Sequence, residues 1–486
     1  MASPWTHDGK GGSMKHKFAA SAALFLFALA LFAGTSAYML AVQASPNFTG
    51  ESVYGDASAA EGITVTQRAV LERRVTWELS YDAGRMSGES ENGWSRDTVD
   101  DNIGNLPGIR TWSNYTFSPD SDTGLSNMDE GMRNIYDYIA AKYGEGGYAQ
   151  EEVDLSDFCD SYPISVESMY ADIYYQDGET FGRETPDALR IPVTEGMTAN
   201  VGVSAGGISV IPLTFYTDSD SVYVPGGYIY MVAAVTSAET GEALDGWTLY
   251  RLPAECTQIV RYDEYADIVG QDESVSGSRW WFDDGFGYNF MVESGRDALE
   301  TVCELPENAS VAALDVSWDG ESVLVYTEED GALYMTVIDA ATGAERQRAR
   351  LFETADILEP GETVETLNYG AMSQYASERY AVFCYDDRAA AVFNYVGGEY
   401  APAYTIELNG ALPASFAGDS TRLCALLFEP DGRYTGNYRL EVYEDGALSC
   451  RQRLSGAHPE NSRYASKDTR VYMDGESLGL SRFGSN

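Results

Sequence analysis

The chain of 486 residues carries 76 acidic and 31 basic residues, and its formal net charge is -45. A surface of this sign repels phosphate groups, which excludes a nucleic-acid-binding protein. The apolar content of 44% argues against a disordered chain, and the length allows one large hydrophobic core or two ordinary ones. Of three histidines, His7 and His16 lie near the N-terminus and only His458 lies further on, so a multi-histidine metal site is excluded.

The N-terminal region predicts a membrane segment. Residues 18–42 contain no charged residue and, at about 1.5 Å per residue, are long enough to cross a bilayer. Lys10, Lys15 and Lys17 precede the segment and no charge follows it before Glu51, which places the N-terminus in the cytosol. The sequence therefore predicts a single-pass cell-membrane protein with a cytosolic tail (1–17), a transmembrane helix or uncleaved signal anchor (18–42), a linker (45–61) and an extracytoplasmic domain (62–486).

Cleavage of this segment as a signal peptide is the alternative. Val42–Ala44 resembles a small-residue cleavage site, and cleavage near Ala44 would give a secreted protein. The apolar run is longer than the core of about 7–15 residues that signal peptides usually have, which favours the anchor. Met14 is a second candidate start, because a charged stretch follows it directly before the apolar run.

An insertion, residues 83–156, interrupts the predicted β domain. Its first part, 83–125, is rich in Gly, Ser, Asp and Asn and predicts a polar loop. A helix follows, because Ser126 and Asp129 form a capping box and Gly144 ends the pattern. One face of this helix is apolar, which favours packing on the β domain over packing on a partner. The apolar positions are Met128, Met132, Ile135, Ile139 and Tyr143.

A glycine turn recurs along the C-terminal part of the chain, at a spacing of about 50 residues. The glycines are Gly241, Gly295, Gly343, Gly398 and Gly446. At the first and third of them the segment Ala-x-Thr-Gly follows an apolar run. Each unit consists of short strands joined by hairpin turns such as Asp330-Gly331. Antiparallel repeats of this length are typical of a β-propeller.

The ends of the repeat region set the predicted number of blades. A further unit turns near Thr185–Asp187, which makes six outer strands. Incomplete units lie at 62–82 and at 463–483, and propellers commonly close with strands from both chain ends. The predicted fold class is therefore all-β: a seven-bladed β-propeller, with six to eight blades possible, preceded by the transmembrane helix and carrying the loop-plus-helix insertion.

Two stretches resemble known propeller repeats. "DVSWDGESVLVY" (Asp315–Tyr326) is similar to the Asp-Gly-bearing blades of WD-repeat and TolB-type propellers, and "VIDAATGAE" (Val337–Glu345) resembles the turn of quinoprotein blades. The resemblance covers roughly residues 160–486 and implies a fold class but no particular activity. Tryptophan follows the quinoprotein-like turn only at Trp247, and no adjacent cysteine pair exists, so no quinone cofactor is expected.

The sequence assigns no catalytic, cofactor-binding or metal-binding residue. Six cysteines lie beyond the apolar segment without a C-x-x-C pair, and their apolar surroundings favour buried free thiols over disulfides. Asp120–Gly124 begins like a calcium loop, but Gly124 and Gly131 stand where oxygen ligands are needed. Asp218 and Asp220 are a weaker signal of the same kind.

Two functions stay open. The preferred one is a binding or scaffold module for a protein, peptide or glycan, with blade-joining loops, especially 83–125, as the contact surface. The alternative is a hydrolase or lyase acting on surface carbohydrate, because such enzymes need only a pair of carboxylates. Trp280 and Trp281 could stack on sugars, but such residues are more often core. A central funnel lined by converging carboxylates with an arginine or a metal ion would favour the enzyme.

We expect the region after Ala44 to lie outside the cell, because of the charge asymmetry around residues 18–42. Protease added to intact cells or protoplasts should degrade this region, and lysed cells serve as the control for cleavability. Full protection in intact cells would contradict the topology, and a mature N-terminus at Ser45, found by mass spectrometry, would establish cleavage instead.

Overall fold

Short antiparallel strands make up most of the structure, which is a computed structural model. The described residues are 27, 29, 31, 48–71, 75–93, 109–110, 115–118, 121–124, 128, 130–144, 148–163, 165–168, 190–224, 227–244, 246–261, 279–283, 288–294, 300–364, 366–367, 372–430, 436–455, 464–473 and 477–481. The predicted tail (1–17) and the rest of the predicted membrane segment (18–42) lie outside them. Among the helices that are described, none has the length and apolar character to cross a bilayer.

Within these ranges the strands form six sheets of four strands or more, which we number by the chain order of their central strands. Strands are given in their order across each sheet. Sheet 1 contains Tyr464–Met473, Ile63–Leu71, Val75–Asp82 and Ser87–Gly93. Sheet 2 contains Ser121–Gly124, Gly207–Pro212, Thr198–Ser204 and Ala149–Asp154. Sheet 3 contains Ile109–Arg110, Phe215–Val224, Tyr228–Ser237, Thr248–Arg261, Tyr288–Ser294 and Arg279–Asp283, with Glu300–Glu304 also paired to Thr248–Arg261.

Three further sheets follow in the second half of the chain. Sheet 4 contains Ser310–Val316, Ser322–Glu329, Ala332–Asp339 and Glu345–Glu353. Sheet 5 contains Gly479–Ser481, Met372–Ala376, Tyr380–Tyr385, Ala389–Val396 and Glu399–Glu407. Sheet 6 contains Leu412–Gly418, Arg422–Pro430, Gly436–Glu444, Ala447–Ser455 and Thr49–Gly55. The remaining elements are the strand pairs Tyr115–Ser118 with Ser165–Ser168 and Ser161–Pro163 with Arg190–Pro192, the helices α1 (Glu130–Tyr143) and α2 (Thr354–Ile357), and the 3₁₀ turns Ala57–Ala60 and Leu155–Asp157.

Neighbouring sheets pack face to face, and apolar clusters fill the spaces between them. In sheet 5, Phe383 packs toward sheet 4 while Val382 and Cys384 pack toward sheet 6. Other clusters join sheets 2 and 3, sheets 3 and 4, and sheets 6 and 1. A succession of antiparallel sheets with shared cores is the architecture of a β-propeller, which confirms the predicted fold class at this level. The unit near Thr185–Asp187 lies outside the described residues, and the seven-blade number stays a prediction.

Both chain ends meet in sheet 1. Ile63–Leu71 pairs along its whole length with Tyr464–Met473, as the incomplete units at the two ends predicted. Val65 and Val471 are fully buried in the core that sheet 1 shares with sheet 6. The C-terminal strand therefore supplies backbone hydrogen bonds and apolar cover that no other described strand provides to this edge.

The predicted linker at 45–61 is wrong for most of its length. Thr49–Gly55 pairs with Ala447–Ser455 and adds a fifth strand to sheet 6. Phe48 directly before it is 1% exposed and packs edge-on against two buried tyrosine rings. The segment is held on the domain because its strand pairs with the edge of sheet 6 and the ring of Phe48 is buried.

The predicted insertion, 83–156, is a loop plus a helix only in part. Helix α1 forms within the predicted segment but begins at Glu130, and the predicted capping box, Ser126 and Asp129, lies outside the described residues. Met132, Ile135 and Ile139 pack into the core of sheets 2 and 3, as expected for the apolar face of the helix. The polar part supplies sheet strands: Ser87–Gly93 in sheet 1, Ile109–Arg110 in sheet 3, and Ser121–Gly124 in sheet 2, which also takes Ala149–Asp154. Backbone pairing at sheet edges does not require apolar side chains, so composition gave no sign of these strands.

The unit predicted around Gly295 is not a separate sheet. Thr248–Arg261 is long enough to pair with Glu300–Glu304 along its first part and with Tyr288–Ser294 along its second part. Both flanks of the predicted unit therefore belong to sheet 3. Sheets 3 and 4 pack directly against each other, so no further sheet lies between them. The interval between Gly241 and Gly343 is long because sheet 3 contains an additional hairpin, Arg279–Asp283 with Tyr288–Ser294.

The recurring Ala-x-Thr-Gly segment forms the same turn in sheets 3 and 4. Gly241 and Gly343 have φ of 73° and 75°. Their N–H groups donate to the carbonyl oxygens of Ser237 and Asp339 at 2.7 and 2.8 Å. The Ser237 and Asp339 side chains each accept hydrogen bonds from the backbone N–H groups two and three positions further on. A positive φ favours glycine, which explains why the same residue recurs at this corner.

Asp339 has a pKa well below the usual range. Burial raises the pKa of this carboxyl, but hydrogen bonds from Thr342 and the ion pair with Arg346 outweigh burial and lower the pKa from 3.8 to about 2. Because the pKa is lower in the folded state, ionised Asp339 stabilises the fold above the unfolded pKa. This contribution is lost as the pH falls toward the folded pKa.

Replacing Asp339 with asparagine should remove about 2 kcal/mol of stability at neutral pH, the free energy that corresponds to this pKa difference. The difference in the free energy of unfolding between wild type and Asp339→Asn should shrink as the pH falls from about 4 to about 2. Urea unfolding at several pH values measures it. Ser237→Ala removes the equivalent cap without a titrating group, so its cost should not change with pH. A constant difference for Asp339→Asn would contradict the assignment.

Deleting residues 464–486 should prevent stable folding, because sheet 1 loses an entire strand and its buried side chains. Each buried apolar side chain contributes about 1–3 kcal/mol, against a total stability of about 5–15 kcal/mol. Thermal melting followed by circular dichroism tests this. The matched control is deletion of 482–486, which should leave the melting temperature unchanged. If both chains melt like the full-length protein, the role of the C-terminal strand is wrong.

Candidate functional site

Exposed tyrosines surround the C-terminal end of α1 and the strand that follows it. Tyr138, Tyr143 and Tyr148 have exposed fractions of 44%, 55% and 73%. The opposite side of α1 is anchored in the core of sheets 2 and 3, so the helix cannot turn these rings inward. We call Tyr138, Lys142, Tyr143 and Tyr148 the tyrosine surface. Large side chains exposed together on an anchored element are typical of a binding surface.

Lys142 contacts two of the rings of the tyrosine surface. Its Nζ is 5.7 Å from the ring centroid of Tyr138 and 5.4 Å from that of Tyr143, within the range of cation–π interactions. It also forms an ion pair with Glu151 in sheet 2. Their mutual hydrogen bond raises the pKa of Lys142 and lowers the pKa of Glu151, so both stay charged at neutral pH.

Two of the tyrosine rings are held in place. The ring centroid of Tyr138 lies 5.2 Å from that of Phe158. The hydroxyl of Tyr148 donates to Oε1 of Gln150 at 3.3 Å. The Tyr148 ring lies over Gly202, where a Cβ atom would come within 3.1 Å of the hydroxyl, so a larger residue there would push the ring away. Side chains ordered before binding lose little entropy when a partner docks.

Another cluster of charged side chains lies in the third and fourth strands of sheet 6. The side chain of Glu441 has no solvent exposure. Its Oε1 lies 3.2 Å from Nε of Arg439 and 2.6 Å from Nε of Arg451, and its Oε2 accepts a hydrogen bond from Tyr443 at 2.6 Å. Burial and the charge of Glu441 raise the pKa of the Tyr443 hydroxyl, which stays protonated. Because no atom of this carboxylate reaches solvent, Glu441 is not exposed for contact with a ligand.

Glu441→Ala should destabilise the protein by about 3–5 kcal/mol, because Arg451 and Tyr443 lose the buried carboxylate to which they donate hydrogen bonds. Urea unfolding measures the change. Glu429→Ala, which removes the more exposed carboxylate paired with Arg439 and Arg453, is the matched control and should cost about 1 kcal/mol or less. Equal costs for the two variants would show that burial of Glu441 is not the cause.

Residues singled out in the sequence mostly occupy strands and cores. Trp247 is 2% exposed, in the core between sheets 3 and 4. Asp218 and Asp220 lie within Phe215–Val224, and Oδ1 of the buried Asp220 accepts a hydrogen bond from the N–H of Ser221 at 2.7 Å. Because both residues lie in a strand and not in a turn, the backbone around them does not form a loop that could surround a cation.

The calcium-like segment is also a strand. Ser121–Gly124 pairs in regular register with Gly207–Val210, in place of the turn favoured by its sequence. In the part of the chain that the structure describes, no group of three or more His, Cys, Asp or Glu is arranged to hold a metal ion. His458 and the side chains of Trp280 and Trp281 lie outside the described part. Among the cysteines whose side chains are described, Cys384, Cys424 and Cys450 are buried free thiols, as predicted, whereas Cys159 and Cys303 are only half-buried.

Sequence reasoning missed the tyrosine surface and the Glu441 cluster. The cluster does have a signal, since Arg439, Glu441 and Tyr443 alternate with apolar residues and so share one face of a strand. Tyr143 was expected on the buried face of α1, and its helical position fits that face. The helix ends there at Gly144, with φ of 90°, and the ring stays exposed.

No protein-family model and no curated protein matches the chain. Among solved structures, the chain is similar to a luciferin-regenerating enzyme at 10% identity and a TM-score of 0.23, covering 84% of this chain and 95% of that one. It is similar to TolB from Acinetobacter baumannii at 11% identity and a TM-score of 0.18, covering 84% and 82%. It is also similar to the β-propeller domain of Cps50 (Swd1) from Myceliophteria thermophila at 12% identity and a TM-score of 0.20, covering 52% and 80%. Likeness at these identities concerns the fold alone.

Proposed function

We propose that this protein is a membrane-anchored extracytoplasmic binding module that holds a partner protein at the tyrosine surface. The observation that carries the proposal is the exposure of Tyr138 and Tyr143 around one lysine–glutamate ion pair, with Tyr148 exposed directly before the strand that carries the glutamate. Tyrosine is enriched in protein interfaces, where its large ring supplies contact area and its hydroxyl supplies a hydrogen bond. Residues 18–42 supply the anchor in this proposal.

The tyrosine surface replaces the insert 83–125 as the expected contact surface. Strands from that insert belong to sheets 1, 2 and 3, so much of it serves the fold itself. Helix α1 follows it directly in the chain and presents its exposed residues from a rigid support. Binding residues on an element anchored in the core keep their geometry better than residues on a loop.

The charge of the chain indicates the kind of partner. A formal net charge of -45 attracts a basic surface and repels an acidic one. Exposed charges are screened beyond about 10 Å at 0.1 M salt, so association should weaken as salt increases. The partner that fits is a protein with basic residues around an apolar or aromatic centre.

The hydrolase or lyase remains the second candidate, and the buried position of the Glu441 cluster weighs against it. A glycoside hydrolase needs two carboxylates that reach the scissile bond from either side. Here the carboxylate that lies between two arginines is enclosed by the fold. The binding function therefore has the better structural support.

Replacing Tyr138, Tyr143 and Tyr148 together with serine should weaken partner binding at least tenfold, because each aromatic anchor of an interface contributes about 2 kcal/mol or more. Binding is measured by capture of extracytoplasmic proteins on the immobilised chain, followed by affinity measurement with the captured protein. Tyr54→Ser is the matched control, since Tyr54 is also 55% exposed but lies on the fifth strand of sheet 6, and it should change nothing.

Two outcomes would contradict the proposal. One is equal capture of the same proteins by wild type and by the triple variant. The other is turnover of chromogenic glycosides that is abolished by substitution of a single carboxylate, which would establish the enzyme instead.

A further inference from the structure

Segments of the chain bind the inner edges of the sheets. By inner edge we mean the edge that faces the axis in a propeller, which belongs to Phe215–Val224 in sheet 3, Ser310–Val316 in sheet 4, Met372–Ala376 in sheet 5 and Leu412–Gly418 in sheet 6. In sheet 3 this edge pairs with Ile109–Arg110. In sheet 4 the N–H of Leu367 donates to the carbonyl of Val311 at 2.9 Å, and in sheet 6 the N–H of Leu478 donates to that of Phe416 at 2.9 Å. These edges therefore accept irregular backbone segments.

The inner edge of sheet 5 carries a strand from the C-terminal end of the sequence. Gly479–Ser481 pairs antiparallel with Gln374–Ala376. The host strand, Met372–Ala376, has five residues, so this pairing covers three of them. Leu478, at the start of the segment, is 5% exposed and packs into the core between sheets 5 and 6. The edge is thus a binding site for an extended backbone that its own chain fills in part.

The side chain of Gln374 indicates that this edge can bind a ligand. Its side chain is fully buried, and neither Nε2 nor Oε1 has a hydrogen-bond partner within the described part of the chain. A buried amide with no partner is unfavourable for the fold. Gln374 lies opposite position 481 of the paired strand, and cross-strand neighbours on one face lie about 4.5–5.5 Å apart. A side chain at that position of an incoming strand is therefore placed to reach the amide.

We propose that Met372–Ala376 binds an extended peptide segment of a partner protein, which displaces Gly479–Ser481 and places an amide side chain against Gln374, opposite which the chain itself has Ser481. Backbone hydrogen bonds supply the affinity, as in strand addition to sheet edges, and Gln374 selects the side chain. A peptide that pairs with all five residues of the host strand would pair with Met372 and Ser373 in addition to the three residues that Gly479–Ser481 pairs with. The C-terminal segment acts as a competitor within the chain. This site is separate from the tyrosine surface, and its test does not depend on the proposed function.

Peptide binding to the full chain, purified in mild detergent, tests the proposal. The probes are fluorescein-labelled peptides with the sequence of residues 477–486 and asparagine or valine at position 481. Leu480→Pro weakens the competing strand, because proline lacks the N–H and restricts the backbone. By fluorescence anisotropy, the Leu480→Pro protein should bind the asparagine peptide at least tenfold more tightly than wild type does. A chain ending at Leu478 keeps that buried residue and serves as the second variant if Leu480→Pro fails to fold.

Gln374→Leu separates binding from a structural role. In the Leu480→Pro background it should remove the preference for the asparagine over the valine peptide, which we expect to be at least tenfold. It should not lower the urea midpoint of unfolding, because it removes unsatisfied polar atoms.

Three results would overturn the proposal. They are no peptide binding by a folded variant, equal binding of a peptide with proline at position 480, and a dimer of the intact chain that excess peptide does not dissociate. The last would assign the edge to a second copy of the chain.

Discussion

A sheet with two apolar faces must lie between two other sheets, and the rest of this structure depends on that constraint. Along Ser322–Glu329, Val323 and Val325 pack toward sheet 3 while Leu324 and Tyr326 pack toward sheet 5. A single sheet of this kind would expose one apolar face to water, at a cost that grows with the exposed area. Sheets therefore follow one another around the molecule, and α1 covers apolar surface that sheets 2 and 3 share.

Local structure such as turns could be predicted from the sequence, but the pairing between distant strands could not. The hairpin at Asp330-Gly331 was predictable because two positive φ angles, 49° and 80°, require these residue types within the turn itself. By contrast, nothing in Thr49–Gly55 indicates that it pairs with Ala447–Ser455, since small polar strands at an edge have no apolar pattern. At Thr248–Arg261 the sequence instead predicted one repeat too many. This strand is long enough to pair with two other strands, and those two strands resemble a separate repeat in the sequence.

The candidate site was harder to predict than the fold, for a related reason. Helical periodicity placed Tyr143 on the buried face, and only the position of Gly144 at the helix end decides that the ring is exposed. The ring of Tyr148 lies over Gly202, a residue distant in the sequence that leaves room for the ring because it has no side chain. The Glu441 cluster was visible as alternation along a strand, but its complete burial depends on the neighbouring sheets. Exposure is a property of the assembled molecule, so one sequence does not determine it residue by residue.

The meeting of the two chain ends has a consequence for biosynthesis. Oγ1 of Thr49 donates a hydrogen bond to the carbonyl of Ser455, 406 positions later in the chain. One edge of Ile63–Leu71 likewise pairs with Tyr464–Met473, while its other edge pairs with the adjacent Val75–Asp82. Until Ala447–Ser455 and Tyr464–Met473 are synthesised, the early strands have unpaired edges that can pair with other chains. Contacts of such long sequence separation also slow folding, which prolongs the exposure of these edges.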